Sequence, residues 1–302
     1  MSATHSRIGV IALVMSIVLL STIEVVSKLM QSGGSVAGRY PFWLVMFRFV
    51  GAGLFLLIPA LHRLHLRNVT LSGRDILILS GLGALGVTLM SSLYHLAIIL
   101  LPANIAALVF SCNPVFVILF APLILSEKIT PRKSISVAVC LIGIVILALD
   151  RADGLSLVGL ALMLSAIIIF ALYTVLFKKF IPRYGPLPVT GFAALTGGLL
   201  ILPLALAVEK FPLASYGWVD WAGIIYLSVM GTAVAYFLFI YGISHVEASA
   251  GSMVFFLKPF LAALLAWWVL DELLSIREVV AGAVILTGML IALAPARRKQ
   301  TG

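Results

Sequence analysis

Two positions in this chain carry polar chemistry inside otherwise apolar sequence. Lys258 lies eleven residues into the apolar run 247–270, and Pro259 follows it. An ammonium at mid-bilayer depth costs about 2.5–3.5 kcal/mol on insertion scales, so it faces a cavity or a partner. It is also too deep to reach the interface easily by extending its stem. Pro259 lacks an N–H and frees helix carbonyls near the same depth. Two readings follow: a cation that attracts an anionic ligand group, or a structural cation satisfied by an ion pair or by carbonyls. Asn113, in the run 102–125, is likewise followed by a proline, Pro114. Its amide can bind a ligand or bridge neighbouring helices.

A second group lies nearer one membrane face. Glu24 in the first apolar run and Arg48 in the second are set to form a salt bridge between adjacent helices. The sharper reading makes Glu24 a proton site, its affinity raised by desolvation and lowered by Arg48. His95, near the end of the third run, is a second titratable candidate or a packed ring. Tyr94, Tyr173, Tyr236, Tyr241, Phe255, Phe256, Trp267 and Trp268 are candidates to line an amphipathic cavity. Trp43, Trp218 and Trp221 read as interfacial belt residues. Gly81-x-Gly83-x-x-Gly86 matches a dinucleotide-binding pattern but lies in a membrane helix with no preceding strand, so it reads as close helix packing. HExxH, GxSxG, a P-loop and clustered carboxylates for a metal are all missing, which argues against an enzyme and against a cofactor. Cys112 and Cys140 both fall in apolar runs and read as small packing residues.

The elements that must position these groups follow from composition. The chain has 302 residues, 63% hydrophobic and 10% charged, with mean hydropathy +1.21. So few charges cannot cover a water-soluble surface, and so apolar a chain cannot remain disordered in water. Ten apolar runs span 8–30, 41–61, 76–99, 102–125, 133–149, 155–180, 187–208, 218–243, 247–270 and 278–294. They predict an all-α integral membrane protein, since open strands would leave backbone groups unpaired in lipid. The first run is too long for a signal-peptide core and lacks an Ala-x-Ala site, so it is expected to be retained. The net charge of +9 resides mainly in short loops. That is a topology signal and not a nucleic-acid surface. Thirteen Lys and Arg fall on one predicted side (Arg7, Arg63, Arg67, Arg74, Lys128, Arg132, Lys133, Lys178, Lys179, Arg183, Arg297, Arg298, Lys299) and five on the other (Lys28, Arg39, Arg151, Lys210, Arg277). The bias predicts cytoplasmic termini and puts the sequon Asn68-Val69-Thr70 in a cytoplasmic loop.

Displaced by 145 residues, the stretch 103–149 falls on 248–294. Identical pairs include Ala103/Ala248, Val109/Val254, Phe110/Phe255, Pro114/Pro259, Leu125/Leu270, Glu127/Glu272, Arg132/Arg277 and Gly143/Gly288. Each half therefore holds five helices. Five is odd, so the second half inserts upside down, an arrangement suited to exposing a midplane site to either side in turn. With "NPVFVILFAPLILSEKIT" at 113–130, "KPFLAALLAWWVLDELLS" at 258–275, Glu24 and Lys28 ending the first helix, Arg48 early in the second and the Gly143/Gly288 pair, the chain resembles the EamA-type members of the drug/metabolite transporter superfamily. The resemblance covers essentially the whole chain. It implies ten transmembrane helices as two inverted five-helix repeats, 1–149 and 150–302, and a central cavity. The expected function is export of a small metabolite, amino-acid-like, across the cytoplasmic membrane. Export of drugs or hydrophobic compounds is the alternative. The expected partners are a small-molecule substrate and membrane lipid.

Overall fold

The computed structural model describes residues 3–32, 34–66, 71–101, 109–148, 156–210, 215–270 and 276–293. The sequon, Arg67, Ala103, Arg151 and Glu272 lie outside the described residues, as do the side chains of Glu24, Lys28, Trp267 and Arg277.

Every regular element among the described residues is helical: α1 (Ala3–Ser32), α2 (Pro41–Leu66), α3 (Gly73–Gly83), α4 (Met90–Leu100), α5 (Asn113–Leu125), α6 (Pro131–Ala148), α7 (Leu157–Tyr184), α8 (Pro186–Val208), α9 (Trp218–Ser228), α10 (Ala235–His245), α11 (Ala248–Ser252), α12 (Lys258–Leu270) and α13 (Ile276–Leu293). A π-helical turn, Ala84–Leu89, joins α3 to α4, and another, Val229–Val234, joins α9 to α10. Six helical stretches are long and apolar enough to cross a bilayer, and three shorter apolar helices accompany them. Large apolar side chains such as Leu123, Leu157 and Ile276 point outward, as lipid-facing residues must. The protein is a multi-pass membrane protein.

Helix boundaries recur at the spacing seen in the sequence. The starts of α2 and α8, and both ends of α3 and α9, of the two π turns, of α4 and α10, of α5 and α12 and of α6 and α13 lie 145 residues apart. Packing follows the same pairing. α2 lies on α8 and α6 on α13, while α1–α10 is matched by α4–α7, and α3–α8 by α2–α9. The paired helices run antiparallel and touch through glycine. A Cβ on Gly143 would lie 2.6 Å from Ile285 Cγ1, and one on Gly288 would lie 2.4 Å from Cys140 Sγ. Cys140 and Ile285 are themselves 145 residues apart, so the contact is reciprocal.

Two aspartates, also 145 apart, fasten helix starts to helix ends. Asp75 accepts from Ser72 N and Oγ at the start of α3, and from Arg183 and the Tyr184 hydroxyl at the end of α7. Asp220 accepts from Gly217 N before α9, and from Ser35 Oγ and Ala37 N just beyond α1. A carboxylate in the first turn satisfies N–H groups that have no intrahelical partner and offsets the positive end of the helix dipole.

Three expectations are corrected. The runs 102–125 and 247–270 are not continuous helices: a turn at Ser111–Cys112 precedes α5, and a 3₁₀ segment, Met253–Leu257, separates α11 from α12. Pro114 and Pro259 therefore sit in a first helical turn, where a missing N–H costs nothing, and each break lies just upstream. Trp43 is only 1% exposed and packs on Phe47 instead of joining a belt. Trp268 is 76% exposed and lines no cavity.

Candidate functional site

The two helix breaks meet at the centre of the protein. Phe110 and Phe255 flank them, with ring centroids 6.2 Å apart, and each packs on Phe170 of α7 at 5.3 Å. Lys258, the first residue of α12, is 7% exposed, and its ammonium lies 5.5 Å from the Phe110 ring centroid. An aromatic face attracts a desolvated cation there by about 2 kcal/mol. Asn113, the first residue of α5, is 0% exposed, and its Oδ1 and Nδ2 have no hydrogen-bond partner among the described residues. An unsatisfied buried amide costs roughly 1–3 kcal/mol. The centre thus gathers a cation and an amide with unused donor and acceptor capacity, at the first residues of two 13-residue helices. The ammonium and the amide N–H favour negative charge.

Tyr173 and Tyr236 line a neighbouring pocket with Phe49, Ala52, Leu56, Val87, Thr190, Ala194, Thr232 and Ala233. Its cavity volume is about 10 Å³, far below the roughly 300–1,000 Å³ of typical ligand pockets, so this conformation is compact around it. The Tyr173 ring stacks on Phe170 and lies 4.2 Å from Phe177. It rests on Gly86, where a Cβ would come within 1.9 Å of the ring. Gly83 likewise meets the α8 backbone, while Gly81 faces open space. Close packing thus explains two of the three glycines in the 81–86 pattern.

The Arg48 guanidinium stacks on Phe49, 4.8 Å from the ring centroid. His95 Nδ1 lies 2.7 Å from the Ser91 carbonyl, so that nitrogen carries the proton. Its ring packs between Phe42 and Tyr94. The expected ion pair of Arg48 with Glu24 falls outside the described residues.

Sequence reasoning missed a polar cluster at the α5–α6 connection. The Glu127 carboxylate accepts from Ala248 N at 2.6 Å, Ser249 N at 3.2 Å, Ser249 Oγ at 2.6 Å and Lys178 Nζ at 3.0 Å. Burial alone would raise its pKa, but the Ser249 hydroxyl, the Lys178 charge and the Ala248 amide outweigh that and hold it below the ordinary carboxylate value. The Glu127/Glu272 pair in the repeat was the available signal, since an acid just beyond a membrane helix can cap the next one. At the opposite end Glu209 accepts from Phe42 N and Trp43 N at the start of α2. Burial raises its pKa despite those two bonds.

Residues 7–149 and 157–294 each match the EamA-like transporter family. The chain belongs to the EamA-like transporter family. It is 29% identical to an "Uncharacterized transporter" of Clostridium kluyveri over 94% of this chain and 92% of that protein. It is 31% identical to "Protein PecM" of Dickeya dadantii, over 70% of this chain and 71% of that protein. A Streptantibioticus cattleyicolor protein named "Probable terminal-alkyne amino-acid exporter" is 25% identical over 72% of this chain and 73% of its own length. A crystal structure 22% identical in sequence covers 100% of both chains with TM-score 0.79, so the fold is shared with a solved protein. As an EamA-like transporter the protein moves solutes, and its family and two of these three relatives are named for transport. The two matched segments end 145 residues apart, at 149 and 294.

Proposed function

We propose that this EamA-like transporter is a secondary exporter of a small, amino-acid-like metabolite in the cytoplasmic membrane. It works by alternating access between two inverted five-helix repeats, 1–149 and 150–302, which span the membrane ten times with both termini cytoplasmic. The antiparallel packing of repeat-related helices and the 145-residue recurrence of helix boundaries support the inversion. The face that gathers Lys128, Arg132, Lys133, Lys178 and Arg183 is the cytoplasmic one, by the positive-inside rule.

The observation that carries the substrate reading is the pairing at the two breaks of a buried Lys258 with an Asn113 amide lacking a partner among the described residues. Lys258 receives a carboxylate, Asn113 a neighbouring polar group, and Tyr173 and Tyr236 border the apolar remainder. Glu24, Arg48 and His95 form the proton-coupling or ion-pair group nearer the periplasmic face. The amino-acid exporter among the relatives agrees with this substrate class.

The test is flux in proteoliposomes, using a panel of neutral L-amino acids and their methyl esters. Lys258→Met should weaken transport of the acid by about one to two decades, the worth of a charge-assisted hydrogen bond. Protein yield should stay near normal. The mainly apolar pocket around Tyr173 and Tyr236 favours a second reading, export of hydrophobic compounds. Methyl esters that move as fast as the acids, in wild type and in Lys258→Met alike, would select that reading.

A further inference from the structure

The Glu127 cluster joins elements that alternating access must separate. Glu127 lies on the α5–α6 connection, directly after Ser126, whose φ of 56° in the left-handed region turns the chain and aims the carboxylate across the protein. Its partners are Lys178 of α7 and the first turn of α11. Lys178 also donates to the Val246 carbonyl. Lys133 of α6 lies 2.6 Å from Glu247 and 3.8 Å from Glu127, and donates to the Lys128 carbonyl at 3.0 Å. The Glu127 and Lys133 side chains are almost wholly buried, Lys178 is partly so, and Glu247 is open to solvent. The cluster therefore ties the α5–α6 corner of the first half to α7 and to the α10–α11 link of the second half, at one face only.

From that anchor the chain leads straight to the candidate site. Residues 248–252 form the short α11 and 253–257 the 3₁₀ segment, all but Ala250 buried, and the next residue is Lys258. Ten residues of short helix and 3₁₀ turn thus connect the capped end to Lys258.

We infer that Glu127, with Lys178 and Lys133, is a latch that holds the cytoplasmic end of the transport route closed in this conformation, and that substrate entry from the cytoplasm requires Glu127 to release α11 and Lys178. The inference rests on the transport reading above and assigns its cytoplasmic gate. A purely structural cluster would lower stability when broken but would leave the spacing of the two halves unchanged. A latch sets that spacing.

The experiment measures the distance between spin labels at Ile129→Cys and Lys179→Cys, both exposed, in full-length protein in liposomes with Cys112 and Cys140 replaced by Ser. Glu127→Gln should raise the long-distance population relative to the closed one by about ten- to a hundredfold, the scale of a lost charge-assisted bond. Lys178→Met should do the same, and the double variant should add little, because both remove one interaction. Glu127→Asp, which keeps the charge and the cap, should remain mostly closed. Folded Glu127→Gln and Lys178→Met proteins with wild-type distances would overturn the latch. Failure of both to fold would also overturn it, by making the cluster a tie the fold needs in every state. Lys258→Met in the labelled protein should lose flux yet keep wild-type distances. Absence of flux in wild type would reject the transport reading without altering the distance result.

Discussion

The starts of α5 and α12 occupy the same place in the repeat, yet one carries Asn113 and the other Lys258. The starts of α3 and α9 also correspond, and both carry an aspartate that fastens a helix of the other half. Many positions that repeat are structural: Asp75 and Asp220, Gly143 and Gly288, the two π turns, the two first-turn prolines. Positions with the most distinctive chemistry do not repeat. Lys258 answers to Asn113, Arg48 to Ala193 and His95 to Ile240. The difference teaches that duplication supplies the frame and its symmetry, and on the function proposed above departures from duplication at the centre supply selectivity. A symmetric pair of lysines there would repel, whereas one ammonium at one break and one amide at the other can hold an anion and a neutral polar group together.

The largest effect that could break this comparison is a swap. Lys258→Asn should cut transport of an amino-acid substrate by about one to two decades. Combining it with Asn113→Lys should restore part of that loss, because the cation returns at the related break. No recovery in correctly folded double variant would show that the two breaks are not equivalent in depth or surroundings.

Next in size are the repeated positions. Asp220→Ala strands three hydrogen-bond donors and should lower stability by about 1–3 kcal/mol, read as an earlier thermal transition in detergent, while the folded fraction keeps its substrate preference. Gly143→Val and Gly288→Val should each cost about 1–3 kcal/mol through overpacking between α6 and α13. Comparable losses are expected because each Cβ meets the other helix; a large loss at one and none at the other would sharpen the comparison into a real asymmetry of that interface.

The smallest effect concerns pH. Glu127, held below its ordinary pKa, contributes stability above the usual carboxylate range, and the contribution is lost as pH falls through its lowered value. Glu209, pushed above its ordinary pKa, behaves oppositely: its carboxyl favours the folded state most when protonated, and the contribution is lost as pH rises through the raised value. Glu209→Gln should therefore flatten the fall in stability with rising pH, and Glu127→Gln the fall with acidification, in thermal melts across a pH series.

The frame was largely legible in the sequence because membrane helices need long apolar runs and duplication leaves matching residues. Lys258, Asn113 and the paired prolines were visible because polar groups are rare in such runs. The exact breaks were not, because proline marks a helix boundary without fixing whether the chain bends at it or before it. The π turns at Ala84–Leu89 and Val229–Val234 left no composition signal, since an i→i+5 turn needs no particular residue type. Trp43 was misjudged because its distance along the chain from a span end says nothing about which helices cover it. The partners of Glu127 were hidden because they lie more than 50 residues away in sequence, and only folding brings them together.

The central claim is that one unrepeated cation in a repeated frame recognises an anionic substrate group. Ligand-induced stabilisation of the purified protein tests it most directly, with each L-amino acid compared against its own methyl ester, in wild type and in Lys258→Met. At least one acid should raise the melting temperature of the wild type, its ester should not, and Lys258→Met should abolish the difference. Equal stabilisation by acid and ester, or an acid preference that survives Lys258→Met, would contradict the claim.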